Sequence, residues 1–98
     1  MSVLMVLRVS GDPKAIEAFD AKVVQGIAER GKAGGALRHR FFTNGSEIVV
    51  VDEWSDRESF QRFFAASPEI GDVMQQAGVT TEPEITFWRK LETNDDIG

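Results

Sequence analysis

The sequence predicts an α+β fold in which two helices pack on one face of a four-stranded antiparallel sheet. Strand-like and helix-like segments follow one another in the order strand, helix, strand, strand, helix, strand. This is the βαββαβ arrangement of ferredoxin-like folds. An Asn-Gly pair between the two central strands is the strongest hairpin signal in the chain. The 98 residues, of which 42% are hydrophobic, suit one small domain.

The first strand is predicted over 3–9, where apolar residues occupy both alternating faces. Asp12 is placed to cap the helix that follows. Pro13 suits the first helical turn because its missing N–H would be unpaired there in any case. Apolar residues then recur at helical spacing as far as Ile27. Gly31 is expected to follow the end of this helix.

The two central strands are predicted over 36–43 and 47–54, and both are rich in β-branched and aromatic residues. Asn44 and Gly45, which separate them, both tolerate the positive φ angles of a type I′ turn. The two strands are therefore expected to pair as an antiparallel hairpin.

The second helical region is predicted to begin at a capping box, Ser55 to Glu58. Ser67-Pro68 interrupts it, helical spacing resumes afterwards, and a last strand is predicted over 84–91. This organisation places one folded domain at 1–91. The acidic residues 92–98 are predicted to form a mobile tail.

Both faces of the predicted sheet are apolar, although two helices can cover only one of them. The first strand carries Leu4 and Val6 on one face, with Met5 and Leu7 on the other. A large uncovered apolar face is an association surface. We therefore expect a homodimer, with two sheets packed back to back around a barrel cavity. A partner domain on another chain is the alternative.

Composition excludes several classes of function. The net charge of −5 and the pI of about 4.8 oppose nucleic-acid binding. Without cysteine the chain has no disulfide and no thiolate ligand, and with a single histidine no metal site is expected. No apolar run is long enough for a membrane span or a signal-peptide core, so we expect a cytoplasmic protein that does not bind membranes.

Three side chains of the central strands are the candidate catalytic residues. His39 is the default general base because histidine titrates near neutral pH; the alternative is a packed or hydrogen-bonded histidine. Asp52 could accept a proton if it faces an apolar cavity, or it could form an ion pair with a nearby arginine. Trp54 could orient a flat aromatic substrate by stacking, or it could simply pack in the core.

Candidate binding residues come from the arginines and the second tryptophan. Arg38 and Arg40 lie on an apolar strand and need partners, which would be a carboxylate or an anionic or phenolic ligand. Trp88, near the end of the last strand, is expected in the core or an interface, with the cavity lining as the alternative.

The segment Ile48-Val-Val-Val-Asp-Glu-Trp-Ser-Asp-Arg-Glu-Ser-Phe60, followed by Ala66-Ser-Pro68, resembles the signature of the antibiotic-biosynthesis-monooxygenase (ABM) domain family. In that family a strand ends in Glu-Trp, a helix begins at once, and a Ser-Pro break follows. The resemblance implies a dimeric α/β barrel. Some members oxidise aromatic polyketides without metal or flavin, some degrade haem, others are isomerases, and many have no known activity.

The resemblance also suggests site residues. Trp54 matches the strand-end tryptophan of the polyketide-oxidising members, whose asparagine and tyrosine fall on Val50 and Phe60. The axial histidine of the haem-degrading members falls near Met74, so haem is not expected. The implied function is a cofactor-independent monooxygenase acting on a small aromatic or hydrophobic molecule. The alternative is a non-enzymatic dimeric module that binds a hydrophobic ligand or only assembles.

Overall fold

The computed structural model describes residues 2–79 and 81–98, so part of the loop predicted over 78–83 lies outside the described residues. The predicted order of elements is confirmed, with each helical region divided into two helices. The elements are β1 (Val3–Ser10), α1 (Pro13–Glu17), α2 (Ala21–Ala33), β2 (Ala36–Thr43), β3 (Glu47–Trp54), α3 (Arg57–Ala65), α4 (Glu69–Gln76) and β4 (Glu84–Trp88).

The four strands form one antiparallel sheet in the order β2-β3-β1-β4, as the ferredoxin-like fold requires. The core lies between this sheet and the helices, because alternate residues of β1 and β3 are buried. The core cluster consists of Met5, Leu7, Val9, Ile48, Val50, Trp54 and Phe60. Within the described residues no helix covers the other face of the sheet, as expected for two helical regions that pack on one face.

The first helical region is two helices, so the prediction of one continuous helix is wrong. The Asp20 carboxylate accepts hydrogen bonds from the backbone N–H groups of Lys22 and Val23 at 2.8 and 3.4 Å, and thereby caps α2. Asp12 caps α1 as predicted, by accepting from the Lys14 N–H at 3.0 Å.

The predicted end of this region at Gly31 is also wrong. Gly31 is buried within α2, where a Cβ would lie 3.6 Å from the ring of Phe63. Its role is therefore close packing of helix on helix. The helix continues to Ala33 and is followed by Gly34 and Gly35.

The hairpin between β2 and β3 does not contain the predicted type I′ turn, because Asn44 does not have a positive φ; Gly45 does, at 104°. The Asn44 side-chain oxygen instead accepts from the backbone N–H of Glu47 at 2.8 Å. The resulting register places His39 directly opposite Asp52.

The second helical region begins one residue later than the predicted capping box. Asp56 caps α3 by accepting from the backbone N–H of Ser59 at 2.7 Å. Hydrogen bonds from the Ser59 hydroxyl and N–H hold the pKa of the Asp56 carboxyl below its usual value. The break at Ser67-Pro68 is confirmed, whereas the last strand ends at Trp88 rather than at residue 91.

Gly35 is predicted to be intolerant of a side chain, since its φ is 120° and a Cβ would lie 2.7 Å from the Ser55 Oγ. We expect Gly35→Ala to lower the free energy of unfolding, measured by urea denaturation, by about 1–3 kcal/mol. Gly26→Ala is the matched control, because a Cβ there meets nothing within 4 Å. That change in the middle of α2 should raise stability by about 0.5–1 kcal/mol. Equal effects of the two changes would contradict the prediction.

Candidate active site

A cavity of about 110 Å³ lies between the sheet and the helices of a single chain. Its walls come from β1, β2 and β3 on one side and from all four helices on the other. Its position differs from the expected one, which was a space enclosed by two copies. One chain is sufficient to build this cavity, on the sheet face opposite to the open one.

Among the described residues that line the cavity, His39 and Asp52 are the two with ionisable side chains. The aromatic lining residues are Phe41, Trp54, Phe60, Phe63 and Phe64, and the rest are aliphatic residues, methionine and glycine. An apolar site with a few convergent polar groups is the usual form of a small-molecule site.

Asp52 is buried, with 6% of its surface exposed, and its Oδ1 lies 2.7 Å from the Nδ1 of His39. The expected ion pair between Asp52 and an arginine is wrong. Alternation along β3 turns Asp52 toward the helices, whereas Arg38 and Arg40 extend from β2 to the other face. The hydrogen-bonded alternative for His39 is the observed one.

Trp54 supplies the second partner of the carboxylate. Its indole Nε1–H donates to the Asp52 Oδ2 at 3.0 Å. The indole is buried, with ring centroids 5.6 Å from Phe60 and 5.3 Å from Phe63. Trp54 is therefore a core residue whose polar group points at Asp52. Both oxygens of the buried carboxylate are satisfied, as burial of a charged group requires.

A bulge interrupts β2 two residues before His39. Ala36 pairs with Trp54 and Arg38 pairs with Glu53, so Leu37 is the extra residue, and it is exposed. Simple alternation along β2 would place Leu37 on the same face as His39, but the bulge puts Ala36 on the cavity side instead.

His39 lies at the edge of the cavity. Its side chain is 41% exposed, so solvent reaches the imidazole while Asp52 holds it from within. Within residues 2–79 and 81–98, no protein group makes a hydrogen bond to its Nε2. This nitrogen is therefore accessible to a bound molecule.

The candidate residues from the sequence separate onto two faces of the sheet. His39, Val50, Asp52, Trp54 and Phe60 line the cavity. A groove of about 450 Å³ on the open face contains Arg38, Arg40 and Trp88. The sheet lies between the two sets, so within one chain the second set does not contact a molecule in the cavity.

The open face carries a cross-strand ion pair of the kind expected for a strand arginine. The Nε of Arg8 lies 2.7 Å from a carboxylate oxygen of Glu47. Its guanidinium lowers the pKa of Glu47, and the carboxylate in turn raises the pKa of Arg8.

The sequence analysis missed the contribution of the helices to the site. Phe63 and Phe64 of α3, and Ile27 of α2, lie on the apolar faces of their helices and also line the cavity. The only available signal was the apolar face of each helix, which does not distinguish a filled core from a core that contains a cavity.

The described part of the chain contains no cluster of three or more His, Cys, Asp or Glu side chains placed to hold a metal ion. In the same part, no helix has the length and apolar character needed to cross a membrane.

Solved structures with the same architecture are numerous, whereas no protein-family model and no curated protein matches the sequence. SnoaB, a cofactor-independent oxygenase from Streptomyces nogalater, is 20% identical, with a TM-score of 0.60 over 97% of this chain and 98% of SnoaB. The ActVA-Orf6 monooxygenase of Streptomyces coelicolor, in complex with Nanaomycin D, is 16% identical, with a TM-score of 0.66 over 94% and 89%. A candidate antibiotic biosynthesis monooxygenase from Deinococcus radiodurans is 15% identical, with a TM-score of 0.62 over 98% and 99%.

The chain has the fold of the antibiotic biosynthesis monooxygenases. This confirms the fold implied by the Glu-Trp strand end and the Ser-Pro break. Each of these comparisons covers nearly the whole length of both chains. At identities of 20% or less the likeness concerns the fold, and the chemistry of this chain has to be argued from its own residues.

Proposed function

We propose that the chain is a cofactor-independent monooxygenase that oxidises a small aromatic molecule held in the cavity. The observation that carries the proposal is the hydrogen-bonded His39–Asp52 pair at the edge of an otherwise apolar cavity. A carboxylate on one imidazole nitrogen stabilises the imidazolium that forms when the other nitrogen takes a proton. Two of the similar structures are SnoaB, called an oxygenase, and ActVA-Orf6, called a monooxygenase, and they support testing this chemistry first.

The proposed reaction starts with removal of a proton from an electron-rich phenol by the Nε2 of His39. The resulting phenolate reacts with O₂ at its para carbon, and His39 returns the proton to the peroxide that forms. Loss of water then leaves a quinone. The balance is phenol plus O₂ giving para-quinone plus water, so one oxygen atom ends in the carbonyl group and the other in water.

The size of the cavity favours a substrate with one ring. Its volume of about 110 Å³ is of the same order as the roughly 150 Å³ apolar cavity that accepts benzene. A fused three-ring molecule such as an anthrone would need the helices to move away from the sheet. The five aromatic lining residues provide ring faces and edges for such a substrate.

The expected result for His39→Gln is a fall of about 10²–10⁴-fold in oxygen consumption with a phenol panel, because the general base is removed. Lys32→Gln, at the exposed end of α2, is the control and should retain the wild-type rate. With ¹⁸O₂, one labelled atom should appear in the quinone and one in water. A His39→Gln variant as active as wild type would contradict the proposed base.

A second candidate is a module that binds a hydrophobic ligand without turnover. It is favoured by Val50 and Phe60, which supply no amide and no hydroxyl to the cavity where the family resemblance implies asparagine and tyrosine. This candidate predicts that a phenol raises the Tm of the protein, and that the phenol is recovered unchanged after incubation with ¹⁸O₂. Monooxygenation predicts a labelled quinone.

We also propose that a second copy of the chain covers the open face of the sheet. Leu4, Phe42 and Trp88 are 40%, 52% and 58% exposed on this face. Arg38 and Arg40 lie on it together with Glu53, so both signs of charge are available for pairing across a twofold axis. Burial of these apolar side chains contributes roughly 25 cal/mol per Å².

Sedimentation velocity tests this proposal. Wild type should sediment as a dimer at micromolar concentration, and Phe42→Lys should shift it toward monomer because a charge would be buried in the interface. The control is Leu37→Lys, since Leu37 is as exposed as Trp88 but lies at the bulge, outside the open-face groove. A wild-type monomer would overturn the proposal.

A further inference from the structure

We infer that Trp54 is a positioning residue, whose indole N–H fixes Asp52 so that His39 keeps the tautomer with a free Nε2. The inference rests on the proposed function in one respect, which is that this nitrogen is the base. It gives Trp54 a different role from stacking on the substrate. The indole acts through the carboxylate.

Two hydrogen bonds fix the orientation of the Asp52 carboxylate. Each oxygen of Asp52 has one hydrogen-bond partner, His39 on Oδ1 at 2.7 Å and Trp54 on Oδ2 at 3.0 Å. Rotation of the carboxylate would leave the buried indole N–H without an acceptor, which is costly in an apolar interior. The two hydrogen bonds therefore hold the carboxylate plane in one orientation.

The indole of Trp54 is held in place by the packing around it. Trp54 is 1% exposed, and Phe60 and Phe63 contact its ring, one at an interplanar angle of 75° and the other at 40°. Close packing against two aromatic rings restricts rotation of the indole and so fixes the direction of its N–H bond. The donor is therefore positioned before any substrate binds.

The Asp52 carboxylate selects the tautomer of His39. An ionised carboxylate only accepts hydrogen bonds, so the Nδ1 of His39 must carry the proton, and Nε2 then has the free lone pair. Asp52 is the charged group that faces the imidazole from β3. Arg38 and Arg40, its neighbours on β2, extend to the open face, and the residues that α2 contributes to the cavity, such as Val24 and Ile27, are uncharged.

The chain allows a direct test, because it contains one histidine and two tryptophans. In substrate-free wild-type protein, ¹⁵N NMR at a pH where His39 is neutral should show the Nδ1–H tautomer. The indole N–H resonance of Trp54 should move as His39 is protonated, since both donors share one carboxylate. The indole of Trp88 donates to Thr86 at 2.9 Å on the open face and should not move.

Trp54→Phe keeps an aromatic ring and removes the donor. We expect the His39 tautomer in this variant to shift toward Nε2–H, with a loss in kcat larger than any change in KM. Trp88→Phe, the matched control, should leave the tautomer unchanged. The wild-type spectra test the positioning role of Trp54 even if Trp54→Phe does not fold.

The test separates this inference from the proposed function. An Nε2–H tautomer in wild type, or a Trp54 indole that ignores the protonation of His39, overturns the positioning role even if the protein turns over phenols. The Nδ1–H tautomer with a coupled indole supports the role. If such a protein produces no labelled quinone, the proposed function fails while the positioning of the imidazole stands.

Discussion

The buried carboxylate of Asp52 is the group on which the site depends. A charge in an apolar interior has to be paired and hydrogen-bonded, or it destabilises the fold. Asp52 has two partners, the imidazole of His39 from the neighbouring strand and the indole of Trp54 from its own strand. The strand register and the aromatic packing around Trp54 must both be correct for the two hydrogen bonds to form. Correct pairing of β2 with β3 is therefore what assembles the site.

We propose that the two faces of the sheet have separate roles, one in ligand binding and the other in assembly. The helices close one face incompletely and leave a cavity beside His39, whereas the other face remains open, apolar and bordered by Arg38 and Arg40. Association of two copies through the open face would stabilise a small domain without closing access to the cavity. Substitutions on the open face should therefore change assembly more than the cavity, and we propose that the candidate residues Arg38, Arg40 and Trp88 serve assembly.

The sequence was sufficient for the order of elements, the break at Ser67-Pro68 and the two apolar faces, because these follow from local spacing and from proline geometry. It did not predict the His39–Asp52 pair. A type I′ turn would place Thr43 opposite Ser46 and, counting back along the strand, His39 opposite Val50. The side chain of Asn44 instead widens the loop and shifts the register by two residues. Strand alternation alone could place Asp52 and Trp54 on one face, but not choose their partners.

A small aromatic substrate that binds as we propose lies inside one chain, beside the His39–Asp52 pair. Intermolecular NOEs between phenol and the labelled protein test this placement most directly. We expect NOEs from the phenol ring to the Val50 methyl groups and to the His39 imidazole, because both residues line the cavity. NOEs to Phe42 and Trp88 on the open face, with none to Val50 or His39, would contradict it.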